Sequence, residues 1–162
     1  MESEEQNNSV VKTKSTSYPS PLTPHSKTGT VLAFDYGEKR IGVAVGDLSV
    51  RIAHPLTAIK ATQAAKHLDA ITALIEEWRP TLLVVGLPSH MDGAEHEMSK
   101  RCRNFARRLE QRFRLRTALV DERLSSHAAE LWLRESGAAP TKTRIDQLAA
   151  QQILQGYFDE LA

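Results

Sequence analysis

The chain has 162 residues, 41% hydrophobic and 25% charged, which fits one domain able to bury a sizeable core. Its single cysteine, Cys102, excludes an internal disulfide or a Cys-rich metal site and points to a reducing compartment. No run approaches the ~20 apolar residues of a membrane span. Lys and Arg total 21 against 20 Asp and Glu, and this net charge of +1 argues at first sight against a polyanionic partner.

Residues 1–28 are polar and Ser/Thr-rich, with Pro19, Pro21 and Pro24, and lack the apolar stretch of a secretory signal. Such a segment cannot bury enough surface to offset its ordering entropy, so a disordered tail is expected, followed by one folded domain over 29–162. Val31–Phe34 is a short continuous apolar run that reads as a strand buried on both faces. Gly37–Arg40 reads as a hairpin connection into a second strand, Ile41–Gly46, whose glycines mark places where another backbone or side chain approaches closely. A weaker strand, interrupted by Pro55, is expected around Arg51–Ile59. Leu68, Ile71, Leu74, Ile75 and Trp78 recur at helical spacing, predicting a helix over 62–78 that Pro80 helps to stop. A buried strand follows at Thr81–Val85, then a turn-rich loop to Gly93, a long helix over 94–113 and a strand at Leu115–Val120. A helix over 126–135 ends near Gly137. A loop over 137–144 then leads to a last helix over 145–161. This order, β-β-β-α-β-α-β-α-α, implies an α/β fold: a mixed sheet with helices on its faces and right-handed crossovers.

Three acids stand where open α/β sheets place their sites, at strand ends and helix beginnings. Asp35 ends the first strand, Glu122 follows the last, and Asp146 opens the final helix. At 100° per residue, Asp146 shares the apolar side of that helix with Ala149, Ala150, Ile153 and Tyr157. Each acid also has a plain structural reading. Asp35 suits a turn, Glu122 can pair with Arg123, and Thr143–Asp146 resembles a capping box. Converging from three elements, they would form a hard-oxygen site for Mg²⁺ or Mn²⁺. Two such ions can clamp the attacking and leaving oxygens of a phosphodiester.

Residues 100–116, KRCRNFARRLEQRFRLR, carry a local net charge of +7. On a helix, Met98, Cys102, Phe105, Leu109 and Phe113 form one apolar face. Lys100, Arg103 and Arg107 point the other way, with Arg101 and Arg108 to one side. Acids are too few there for i,i+4 pairing, so the face suits phosphate. The rest of the folded part carries −6, the three acids among it, so the near-neutral total averages two opposed regions. Cys102, within the apolar stripe, reads as a small buried hydrophobe. His90 and His96 lack zinc-site spacing.

The strings VLAFDYGEKRIGVAVGD, LLVVGLPSHMDG, LVDERLSS and TKTRIDQLAAQQIL, in that order over residues 30–160, resemble the YqgF-type family of pre-16S rRNA nucleases, also called Holliday junction resolvase-like proteins. The resemblance implies an RNase H-like fold, a five-stranded mixed sheet flanked by helices. It implies an endonuclease dependent on Mg²⁺ or Mn²⁺, with Asp35, Glu122 and Asp146 as catalytic metal ligands. Lys39, Arg40, Arg123, Lys142 and Arg144, together with Lys100, Arg103 and Arg107 of the basic helix, are expected to contact nucleic acid or a ribosomal particle. The substrate expected is precursor 16S rRNA, with branched DNA as the alternative, for a cytoplasmic monomer or homodimer. A non-catalytic nucleic-acid-binding module is a third reading. A sugar-kinase-like phosphotransferase also opens on a strand ending in Asp-x-Gly, but it needs a second related domain that the folded length does not supply.

Overall fold

The computed structural model describes residues 28–61, 64–88, 97–121, 134, 137 and 141–161. Its elements in chain order are β1 (Thr30–Tyr36), β2 (Arg40–Asp47), β3 (Ala53–Lys60), α1 (Ala64–Trp78), β4 (Leu82–Leu87), α2 (Glu97–Phe113), β5 (Thr117–Asp121) and α3 (Lys142–Glu160). The expected helix over 126–135, apart from residue 134, lies outside the described residues, as do the expected disordered tail up to residue 27 and the loop carrying His90 and His96.

The strands form one sheet in the order β3-β2-β1-β4-β5. β1 pairs antiparallel with β2 and parallel with β4, so the sheet is mixed, as the element order implied. Along β1, alternate residues serve two cores. Val31 and Ala33 pack with Ala44, Val84, Ile153 and Leu154 beneath α3. Leu32 and Phe34 pack with Val43, Leu83, Ile71, Phe105 and Leu109 beneath α1 and α2. This two-sided burial is why β1 and β4 read as unbroken apolar runs.

β3 sits at the sheet edge, where Pro55 costs no ladder bond, and its register with β2 shifts between Val43 and Ala44. Two glutamines of α3 bind this edge. Gln155 Oε1 accepts from the Ala53 N–H (3.0 Å), its Nε2 donates to the Arg51 carbonyl (3.1 Å), and Gln151 Nε2 donates to the Ala53 carbonyl (2.9 Å).

The last helix departs from expectation at its start. Lys142 and Arg144, expected in a loop, lie exposed in its first turn, and the cap is Thr141, not Thr143. Thr141 is extended (φ −106°, ψ 156°), and its hydroxyl accepts from the Arg144 N–H at 3.1 Å. Asp146 therefore sits beyond the first turn, where the helix dipole gives little reason for an acid.

Candidate active site

β1, β4 and β5 run parallel, so their carboxyl ends gather at one edge of the sheet, where α/β folds place their sites. Asp35 lies one residue before the end of β1, and its alternation places it on the α3 face. Its antiparallel partner is Gly42. In such a pair, side chains directly opposite have Cβ atoms about 5 Å apart on the same face.

Gly42 decides what else reaches that spot. A Cβ there would collide with the Asp146 carbonyl oxygen and lie 2.6 Å from its carbonyl carbon and 3.2 Å from its Cβ. The missing side chain lets α3 cross β2 in near contact and sets Asp146 beside the position opposite Asp35. Gly46 does the same further along: a Cβ there would lie 2.7 Å from the Phe158 ring. Two carboxylates separated by more than a hundred residues thus share one sheet end because β2 carries glycine where α3 crosses.

Asp146 is held there by Arg40, whose Nε donates to Oδ2 at 2.5 Å, with both side chains about a quarter exposed. Arg40, expected to contact nucleic acid, stands at the site with its guanidinium engaged by an acid. Lys39 is exposed in the preceding turn, its carbonyl accepting from the Ala61 N–H at 2.8 Å. Glu122 and Arg123 lie outside the described residues.

Mg²⁺ and Mn²⁺ take hard oxygen donors, and the Asp35 and Asp146 carboxylates are of that kind. Among the described residues no group of three His, Cys, Asp or Glu side chains could hold an ion. Glu122, the third acid expected from the sequence, lies outside them.

The basic helix is α2. Cys102, Phe105 and Leu109 are buried in its apolar stripe as expected, while Lys100, Arg103 and Arg107 are exposed. Sequence reading missed a neighbour of this stripe. His67 on α1 is buried, packs edge-on to Tyr36 and Phe105, and has neither ring nitrogen hydrogen-bonded. Burial, helped by the Arg108 charge, pulls its pKa below the ordinary 6.5. Its place four residues before Ile71 on the apolar stripe was the available signal. Among the described residues, no helix is long and apolar enough to cross a membrane.

A protein of Methylobacillus flagellatus provisionally named pre-16S rRNA nuclease is 56% identical over 144 residues, covering 88% of this chain and 99% of the relative. One of Nitrosomonas europaea with the same provisional name is 53% identical over 141 residues, covering 86% and 95%. Among solved structures, Thermus thermophilus RuvC in complex with Holliday junction substrate aligns with TM-score 0.52 at 16% identity, over 82% of this chain and 94% of that one. The yeast mitochondrial Holliday junction resolvase Ydc2 aligns with TM-score 0.52 at 13% identity, over 85% and 81%. These structural likenesses show the fold, which is RNase H-like. The family model described as RuvX: Holliday junction resolvase matches residues 29–160, and the chain belongs to that family.

Proposed function

We propose that this chain is a cytoplasmic, divalent-metal-dependent endonuclease that hydrolyses phosphodiester bonds at the 5′ end of the 16S rRNA precursor. The observation that carries this reading is the approach of Asp146 to the position opposite Asp35 across Gly42. Family membership and the provisional names of relatives about half identical to it support the substrate. Glu122 is the proposed third acid. In the sequence it directly follows Asp121, the last residue of β5.

In this mechanism Asp35, Glu122 and Asp146 hold Mg²⁺ or Mn²⁺, which when bound supplies Lewis acidity toward the scissile phosphate. Arg40 keeps Asp146 oriented and offsets part of the repulsion among the gathered acids. Lys39, Lys142 and Arg144, together with Arg123, are the proposed phosphate contacts, and the exposed Lys100, Arg103 and Arg107 hold flanking nucleic acid.

The test is cleavage of precursor rRNA and of a four-way DNA junction, each with Mg²⁺, Mn²⁺ or EDTA. Asp35→Asn, Glu122→Gln and Asp146→Asn should each abolish cutting of the precursor. Full activity in all three variants, or cutting in EDTA, overturns the mechanism. The family description favours one second reading, resolution of branched DNA. Paired nicks in the junction by a dimer, with the precursor left intact, would establish it instead.

A further inference from the structure

Asp35 and Tyr36 are consecutive in β1 and so lie on opposite faces of the sheet. Asp35 belongs to the α3 side, where the proposed chemistry is, and Tyr36 to the α1/α2 side. The half-buried Tyr36 ring lies against Phe105, with centroids 4.6 Å apart and planes tilted by 31°, and His67 meets it edge-on at 6.4 Å. The ring is thus braced by two neighbours, and Tyr36 also lines an open depression together with Arg101, Asn104, Phe105 and Arg108 of α2.

The polar groups of this depression form one stripe. Arg101, Asn104 and Arg108 are spaced by three and four residues, so they stack on one side of α2 over roughly 10 Å. Asn104 Oδ1 accepts from Arg107 Nη1 at 3.2 Å, which leaves its amide N–H groups as donors for a ligand. Among the described residues Arg101 makes only a long contact to Glu38, 3.5 Å between two exposed side chains, which contributes little in water. Arg108 has no ion-pair partner among the described residues. Two guanidiniums, an amide donor and a braced aromatic ring are the groups that hold a nucleotide: the cations take phosphate and the ring takes the face of a base.

We infer that the notch of Tyr36, Arg101, Asn104 and Arg108 is a single-stranded RNA subsite, holding a nucleotide that flanks the cleaved phosphate. This rests on the nuclease reading above and adds the strand state of the substrate. A base can lie on Tyr36 only if it is unpaired, because in a duplex its faces are stacked on neighbouring bases. The notch stands one residue from Asp35 over the end of the sheet, so a strand passing from one to the other rounds the end of β1.

The experiment measures binding of a short fluorescent oligoribonucleotide of mixed sequence by anisotropy, single-stranded and annealed to its complement, alongside precursor cleavage. Arg101→Gln with Arg108→Gln should weaken single-strand binding about tenfold or more and flatten its salt dependence. Lys66→Gln with Arg79→Gln, which removes as much charge elsewhere, should leave binding close to wild type. Tyr36→Leu should weaken single-strand binding about tenfold, Tyr36→Phe should restore it, and the duplex should be indifferent to either change. An abasic strand should cost the wild type what Tyr36→Leu costs with the intact strand. If the two arginine pairs behave alike, or Tyr36→Leu affects duplex and single strand equally, the subsite is refuted, and cleavage by wild type still upholds the nuclease. If binding depends on the notch as described but wild type leaves the precursor uncut, the subsite stands and the nuclease reading falls.

Discussion

Gly42 and Gly46 make a natural pair of experiments, because both are β2 glycines under α3 and only one is near the acids. An alanine at Gly42 must displace backbone of Asp146. At Gly46 it meets the Phe158 ring and the Ile52 carbonyl, 2.9 Å away. Each overpacked variant should lose about 1–3 kcal/mol of stability in urea titration. Once cleavage is normalised to the folded fraction, Gly42→Ala should remain at least tenfold impaired and Gly46→Ala should recover. Equal recovery would mean that the position of Asp146 does not matter. His67 predicts a different response. Its nitrogens are buried without hydrogen bonds, and its pKa is lowered by burial and then by Arg108. The folded state therefore resists a proton that the unfolded chain accepts near 6.5, so stability is full above that pH and drains as pH falls below it. His67→Leu should gain about 1 kcal/mol at neutral pH by removing the unmet polar atoms. It should also lose less stability than wild type between neutral and mildly acidic pH, read from urea midpoints across that range.

At the level of elements, the strands were the most legible part of the chain, and the start of α3 the least. β1, β2 and β4 announce themselves because burial on both faces demands continuous apolar residues, and little else in 162 residues looks like Val31–Phe34. The start of α3 was harder, because Thr141 and Thr143 are both acceptable caps and only the backbone decides between them. The convergence of Asp35 and Asp146 was expected, but the means by which α3 carries Asp146, beyond its first turn, toward Asp35 was not readable. It depends on how deeply α3 settles on Gly42. The glutamine contacts were invisible for a similar reason. Gln151 and Gln155 look like ordinary solvent-facing residues until β3, about a hundred positions earlier, is laid beside them. Gln155→Leu strands the Ala53 N–H and the Arg51 carbonyl together and should cost about 1–3 kcal/mol in urea titration. A cost near zero would show that water takes over both groups.

Across the whole molecule, the near-neutral composition conceals a division of labour. The basic groups concentrate on α2, while Asp35 and Asp146, two of the acids proposed for chemistry, stand near one end of the sheet. That arrangement has a thermodynamic signature independent of cleavage. In the unfolded chain Asp35 and Asp146 are far apart and bind a divalent cation weakly, whereas the folded chain brings Asp146 to Gly42, the residue paired with Asp35, so a cation held by both acids must stabilise folding. At ten times the dissociation constant the gain is about 1.4 kcal/mol, enough to raise the melting temperature by several degrees for a domain of this size. Mg²⁺ and Mn²⁺ should therefore raise the melting temperature of wild type as their concentration rises, and EDTA should reverse the shift. Asp35→Asn and Asp146→Asn should lose it. Arg40 sharpens the test, since its guanidinium already supplies positive charge to Asp146. Arg40→Gln should lower the melting temperature in EDTA, where the acids are left uncompensated, and enlarge the shift on adding metal, because the cation no longer competes with a resident charge. If metal leaves every variant and the wild type unmoved in a thermal melt, the acids do not form a cation site, whatever their proximity.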